Sequence, residues 1–424
     1  VVLRIDDNVG ACDDSATGAS AYISGTVITS MGDRLESAAV TSAAMNTNLT
    51  TQEMTDVKGG FFFSDHALMS DYELTVSKSG DYLNGVSTLD ALLIQRHILG
   101  LNRFEDPYQV IAADVNGDER ISAIDLVVLR SLILGRTDAL PGEQSWRFVD
   151  ANQAFDNPTN PWPLEESLYL ERLEASRDHQ DFIGVKLGDV NGNAIANSQL
   201  VSDNRSVDQV AIALDDRKIA KGQIVQVNIP VDLKENVYGG QLSIRLDRGT
   251  WIKGESNLRE MSSDQIYITD DGVMNVSWTS LLPTQPGAHL MLTFEASSSG
   301  QLSDFIHMNT NRWASQLYYG EELTRADISL TYSIEVEPRF ILYQNVPNPF
   351  EGSTKIGFEI EKGGQVDFSI FDMTGRQLYA VTGYYGSGRH DVIIDESVLD
   401  QKGVLYYQLS FDNKVATRKM ISIE

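Results

Sequence analysis

The chain is expected to be mainly β and multidomain: small β-sandwich modules interrupted by one short helical module. Three observations predict this. Much of the 424-residue sequence alternates apolar and polar residues in short runs separated by Gly, Asp and Ser turns. One region instead carries two copies of a helical pattern, 35 residues apart. Finally, 42% hydrophobic residues are enough to build cores, and the length suits about three domains, or four to five if the β-modules are small.

The first element, residues 1–17, reads as the end of an upstream β-module, with Val1-Val2-Leu3-Arg4-Ile5 as a strand running into an Asp/Asn turn. It has neither a basic start nor a small-residue cleavage site, so a signal peptide is not expected and Val1 is expected to lie inside a longer chain. Cys12 is the single cysteine, which excludes an intrachain disulfide and a Cys-based zinc site. It is either a free thiol or paired upstream. Residues 18–78 follow as a small sandwich, with alternation in Tyr22–Ile28, Gly60–Phe63 and Tyr72–Val76.

Residues 79–202 form the helical module. Ser87–Gly100 (STLDALLIQRHILG) and Ser122–Gly135 (SAIDLVVLRSLILG) each begin with Ser and Asp at capping-box spacing and end on Gly. His97, near the end of the first helix, is expected to make a favourable dipole contact. Trp146–Asp181, rich in Pro, Asn and acids, reads as an irregular insert. Residues 203–336 return to strands in Ile224–Ile229, Gly240–Leu246 and Val273–Trp278, a sandwich or jelly roll. Pro338 and Arg339 mark a linker, and residues 337–424 hold a last run of short strands broken by Gly and Asp-x-x-Gly turns.

The chemistry concentrates in the helical module. In Asp114–Asp125, Asp114, Asn116, Asp118, Ser122 and Asp125 place side-chain oxygens at positions 1, 3, 5, 9 and 12, and Arg120 at position 7 offers its backbone carbonyl. Ca²⁺ takes about six to eight oxygens, and this spacing wraps them around one point. Glu119 stands at position 6, where such loops usually carry Gly. The other helix has no complete loop. Counting back from Asp90 places Ser87 at position 9 and Gly85 at position 7, but Leu83, Asp81 and Ser79 make a poor start. Asp189, Asn191 and Asn193 make a good start whose position 12 is Leu200. Two readings follow: a split site joining Asp189, Asn191 and Asn193 to the Gly85 carbonyl, Ser87 and Asp90 around a second Ca²⁺, or two degenerate loops, one surviving only as a helix cap.

The paired loop-and-helix units ending in Leu-Gly resemble a type I dockerin. The longer run from LNGVSTLDALLIQRHILGL to GVKLGDVNGN resembles the dockerin-like region near the C-termini of large Bacteroidetes surface proteins. That resemblance implies two bound Ca²⁺ and docking onto a cohesin sandwich. Residues 18–78 resemble carboxypeptidase-regulatory or transthyretin-like modules. Residues 203–336, with VYGGQLSIRLD and Trp278, look cohesin-like, which would allow docking within the chain or between chains.

The last 85 or so residues open on Tyr343-Gln344-Asn345-Val346-Pro347-Asn348-Pro349-Phe350 and pass through Asp372-Met373-Thr374-Gly375-Arg376. They close on Gly403-Val404-Leu405-Tyr406-Tyr407 and then Arg418-Lys419-Met420-Ile421. This order resembles the type A C-terminal sorting domain of the type IX (Por) secretion system, an Ig-like sandwich. Asn348, Pro349, Phe350, Asp372, Gly375, Gly403, Tyr406 and Lys419 carry the resemblance. It implies export across the outer membrane to the cell surface, with the outer-membrane translocon, a shuttle protein and a sortase as partners. Taken singly, Pro347 and Pro349 stiffen a segment and Gly375 and Gly403 serve turns.

The formal net charge of −27 (33 Lys+Arg against 60 Asp+Glu) argues against nucleic acid and anionic membranes as partners. No apolar run is long enough for a transmembrane helix. Six His show no metalloprotease spacing, and no Gly-x-Ser-x-Gly elbow or phosphate loop occurs, so no enzyme activity is expected. The expected function is that of the non-catalytic C-terminal part of a secreted, surface-attached adhesin or stalk. The alternatives are a scaffold pairing dockerin-like and cohesin-like modules between chains, or the appendage of a secreted enzyme.

Overall fold

The structure, a computed structural model, describes residues 20–47, 49–198, 207–333 and 340–423. The expected upstream module at 1–17, with Cys12 in it, lies outside the described residues. The chain divides into two compact units, Val1–Ser333 and Ile334–Glu424. No helix among the described residues is long and apolar enough to cross a membrane.

Strands β1 (Ser20–Thr29), β2 (Ala39–Ala44), β3 (Thr50–Met54), β4 (Gly60–Ala67) and β5 (Tyr72–Ser77) begin the first sandwich. Inward residues alternate along them, as in Ile23 and Val27 of β1 and Phe61 and Phe63 of β4, all in one core. Three helices follow: α1 (Thr88–Ile98), α2 (Pro107–Ala113) and α3 (Ala123–Leu134). The stretch expected to be irregular then supplies β6 (Trp146–Asp150) and β7 (Ser167–Leu170), with β8 (Phe182–Lys186) just beyond it.

This corrects the expected insert. One sheet has the order β4-β1-β8-β6 and the other β3-β2-β5-β7, so the first sandwich draws strands from both sides of the helices. β8 runs parallel to β1, and Trp146, Phe148 and Phe182 sit in the same core as Ile23. The strands escaped notice because each is only four or five residues long, flanked by Pro, Asn and acidic turns. The helices are thus an insertion whose two ends are anchored in one sandwich, and that places Asp189, three residues after β8, beside α1.

The second sandwich packs a three-stranded sheet (Ile224–Pro230, His289–Ala296, Gly249–Ser256) on a larger one running from Ile266–Ile268 through Val273–Thr279, Val237–Leu246, Gln316–Tyr319 and Thr324–Ser333 to Asp208–Asp215. Trp278, Phe294 and Phe305 are among its fully buried residues. The second compact unit is itself a sandwich. Ile341–Leu342, Ser353–Ile360 and Gly388–Asp395 form one sheet; Gln377–Tyr385, Gly364–Phe371, Gly403–Phe411 and Lys414–Ser422 form the other. Phe350, Phe358, Phe368 and Tyr407 fill it.

Candidate metal centre

The contiguous loop hangs between α2 and α3. Asp114 caps the C-terminus of α2, and Ser122 with Asp125 forms a capping box at the start of α3. Both Asp114 and Asp125 are fully buried. Asp114 Oδ1 accepts from the Asp118 N–H (3.0 Å), and Oδ2 accepts from the Glu119 N–H (3.1 Å). Asp125 Oδ2 accepts from the Ser122 N–H (2.8 Å) and hydroxyl (3.3 Å), while Oδ1 accepts from the Asn116 N–H (3.2 Å). Asn116 and Asp118 bond each other, and the Arg120 N–H donates to Asp118. Glu119 has φ +64°, so a side chain occupies the left-handed position at a cost of about 1–2 kcal/mol.

The two halves of the other loop meet. Asp90 is fully buried at the third position of α1, with Ser87 as N-cap. Asp90 Oδ2 accepts from the Ser87 N–H (2.9 Å) and hydroxyl (3.0 Å), and Oδ1 accepts from the Val190 N–H (3.0 Å). Asp189 Oδ1 accepts from Gly192 N–H (2.9 Å) and Asn193 N–H (3.2 Å), and Oδ2 from Ala194 N–H (2.7 Å). Asp189 thus gathers the turn after it as Asp114 does, and Asp90, like Asp125, caps its helix and accepts from the opposite turn, though from Val190 at position 2 where Asp125 takes Asn116 at position 3. The two segments lie about 100 residues apart in sequence. Asn84 sews the segments together, its amide donating to the Ile195 carbonyl (2.8 Å) and its Oδ1 accepting from the Ile195 N–H (2.8 Å). Gly85 has φ +78°, and a Cβ there would stand 2.7 Å from Ala194 N and Asp189 Oδ2.

Electrostatics sets these loops apart from ordinary surface turns. Burial pushes the Asp90 carboxyl well above the usual carboxylate range, and the charge of Asp189 pushes the same way. Burial also raises Asp189, against the pull of three backbone N–H groups and Lys186. Asp114 is raised by burial, opposed by its backbone donors and Arg147. Two basic side chains that sequence reasoning missed stand beside the loops. Arg147, on β6, reaches Asp114 Oδ2 at 3.3 Å and Glu166 at 2.9 Å. Lys186, on β8, donates to the Tyr82 carbonyl (3.1 Å) and is lowered by burial to about 8. Nothing local in the sequence signals them, because they reach the loops only through the pairing of β6, inside the supposed insert, with β8, just beyond it.

The donor chemistry fits a hard cation. The candidate donors are carboxylates, amides, hydroxyls and backbone carbonyls, all oxygen. Both polar atoms of Asn191 are buried and have no hydrogen-bond partner among the described residues, an orphaned amide at position 3 of the divided loop. No group of three or more His, Cys, Asp or Glu converges among the described residues, so amide, hydroxyl and carbonyl oxygens would have to complete either site. His97 is corrected. Its Nδ1 accepts from the Phe104 N–H (2.9 Å), the ring stacks on Phe104, and burial lowers its pKa, so it is a neutral acceptor and not a dipole-facing cation.

In the last unit, the residues carrying the sorting resemblance lie along one sheet and its last strand. Asn348 Oδ1 accepts from the Ile421 N–H (2.9 Å). Pro349 leads into the buried Phe350, whose N–H donates to Ile421 O and whose carbonyl accepts from Ile423 N–H, both at 2.9 Å. Tyr406 lies between Phe371 and Lys419 in register. Asp372, the residue after Phe371, gathers Thr374 and Arg376 and is held down to about 2, chiefly by the Thr374 hydroxyl. Gly375 (φ +84°) and Gly403 (φ +104°) are both in the left-handed half of backbone space, where Gly is favoured.

The type I dockerin family matches residues 84–134, which include α1, the contiguous loop and α3 but not Asp189–Ala194. No curated protein matches the chain. Among solved structures, the type II cohesin dyad from the adaptor scaffoldin ScaA of Acetivibrio cellulolyticus aligns at 13% identity over 49% of this chain and 89% of that one, with a TM-score of 0.23. The major pilin subunit BcpA of Bacillus cereus aligns at 9% identity over 95% and 93%, with a TM-score of 0.22. The TIE protein of Bacillus anthracis aligns at 8% over 95% and 47%, with a TM-score of 0.19. At these TM-scores the likenesses carry no argument. The chain is a modular, mainly β protein in which residues 84–134 are a dockerin type I match.

Proposed function

We propose that the chain is a non-catalytic part of a secreted, surface-attached modular protein, a stalk or adhesin segment stiffened by calcium at two loops. The observation that carries the calcium reading is the parallel between the Asp114/Asp125 and Asp189/Asp90 hydrogen bonds, with like charges buried together in each loop. When bound, Ca²⁺ supplies the positive charge that such buried carboxylates need. Asp114, Asn116, Asp118, the Arg120 carbonyl, Ser122 and Asp125 would hold one ion. Asp189, Asn191, Asn193, the Gly85 carbonyl, Ser87 and Asp90 would hold the other. The chain's own backbone N–H groups already orient both first-position aspartates. A divided loop also has a mechanical consequence: its ion would tie α1 to the end of β8, fastening the helical insertion to the sandwich at a second point.

The type IX sorting reading of residues 337–424 rests on motif order and on the closure of the Asn348–Phe350 arm against the last strand. With it come outer-membrane export, the translocon, shuttle and sortase as partners, and a cell-surface location.

Unfolding in urea with and without calcium tests the calcium reading. An ion at a hundredfold excess over its Kd should add about 2.7 kcal/mol per site. Identical midpoints in calcium and in EDTA would remove it. For the sorting reading, residues 337–424 fused to a reporter should carry it to the surface of a bacterium possessing that secretion system; a reporter left in the periplasm would refute it.

A further inference from the structure

The dockerin-matched helices pack one side against the second sandwich, while Ile124 and Val127 on the other side of α3 stay exposed. Strands Val237–Leu246 and Val273–Thr279 of the second sandwich are buried along nearly their whole length, Arg245 being the one exposed residue. One side of each strand is apolar and belongs to the sandwich core: Leu242, Ile244, Met274, Val276 and Trp278. The other side carries Gln241, Ser243, Asn275, Ser277 and Thr279, which are buried although polar. A sheet of this kind ordinarily turns its polar side to water. Here α1 and α3 cover it.

The cover is fitted group by group. At the start of α1, the Thr88 N–H donates to Gln241 Oε1 and its hydroxyl bonds that of Ser277, both at 2.8 Å. Farther along, Leu92 is fully buried against Tyr238, Tyr318 and Leu323, and the Arg96 guanidinium lies over the Tyr238 ring. At the end of α3 the sandwich caps the helix. The last carbonyls of a helix have no intrahelical partner. Those of Leu132, Ile133 and Leu134 accept from Arg312 Nη2 (2.8 Å), Trp313 Nε1 (3.0 Å) and Asn275 Nδ2 (2.9 Å). Asn275 is in turn oriented by the Ser243 hydroxyl at 2.7 Å. The polar residues of this sheet face are therefore complementary to the two helix ends and are not merely hidden by them.

We infer that the docking partner of the dockerin-matched helices is the second sandwich of the same chain, so that the recognition offered by α1 and by the C-terminal end of α3 is spent within the molecule. The inference rests on reading residues 84–134 as a docking element; it does not depend on calcium occupying the loops. It turns the first sandwich, the helices and the second sandwich into one continuous body, and it favours a stalk over a scaffold that pairs between chains.

Thr88→Cys with Ser277→Cys, on a Cys12→Ser background in the full chain, tests it, because the two hydroxyls already touch. Mild oxidation should give an intrachain disulfide in nearly all molecules, running as a monomer on a non-reducing gel. A disulfide-linked dimer would overturn the inference, and so would thiols that stay free in a protein that remains folded. A second measurement leaves the interface untouched. A protease site is placed in the connection between Ser198 and Val207, and the cut halves are run on gel filtration. Co-elution is expected, and separation into two folded halves would overturn the inference. A chain that binds no calcium yet forms the intrachain disulfide would keep the docking and lose the calcium reading.

Discussion

Residues 114–125 and the paired segments 84–90 and 189–195 reach similar geometry with different connectivity. In both, a fully or nearly buried first aspartate gathers backbone N–H groups of the turn that follows, and a last aspartate caps a helix while accepting from the opposite turn. The contiguous loop closes within twelve residues, whereas the divided one closes only after three helices and three strands have been built. What the difference teaches is that loop closure can be transferred from the local chain to a sandwich. β8 delivers Asp189 to α1, and the sheet that carries it also places Arg147 and Lys186 beside the two loops.

The largest expected effects separate the two loops by their first residue. Asp114→Ala and Asp189→Ala should each lower stability by about 3–5 kcal/mol in saturating calcium, combining a lost ion with unpaired backbone donors. Urea midpoints would measure this. If Asp189→Ala costs less than about 1 kcal/mol while Asp114→Ala costs the full amount, the divided loop is only a helix cap.

Backbone substitutions should move the loops in opposite directions. Gly85→Ala forces a Cβ into the Asp189 turn at positive φ, and a loss of about 2 kcal/mol or more is expected. Glu119→Gly relieves the left-handed residue of the contiguous loop, with an expected gain of about 1 kcal/mol. Equal effects at both positions would show that the comparison misplaces the strain.

The pH dependence should be smaller but differ in sign with and without calcium. Asp90, Asp189 and Asp114 have folded pKa values raised above 3.8. Without calcium, the folded chain keeps protons that the unfolded chain releases above that value. Their contribution to stability is then full below the unfolded pKa and is lost as pH rises through the raised folded values. Calcium requires the ionised carboxylates, so in its presence stability should rise over the same window. Urea midpoints at about pH 5 and about pH 7, with and without EDTA, would show whether the two slopes oppose each other.

Much of this was legible in the residues. The two Ser-x-x-Asp helix starts and the Asp-Val-Asn-Gly turns name both loops, and the complementary incompleteness of 79–90 and 189–200 points to their pairing. Three features were not legible. The strands at Trp146–Asp150 and Ser167–Leu170 are short, and their partners lie far away along the chain, so local alternation is weak. Arg147 and Lys186 acquire their roles only from that pairing. The polar face of Gln241, Asn275 and Ser277 reads as an ordinary solvent side, because alternation shows which residues face away from a core but not what covers them. His97 misled for a related reason: its proximity to a helix end says nothing about the Phe104 N–H that folds back onto it.

Calorimetric titration of the full chain with calcium tests the central claim most directly. Two ions per chain are expected, falling to one in Asp189→Asn and, separately, to one in Asp125→Asn. A single ion in the unaltered chain, or a stoichiometry that Asp189→Asn leaves unchanged, would contradict a divided calcium loop.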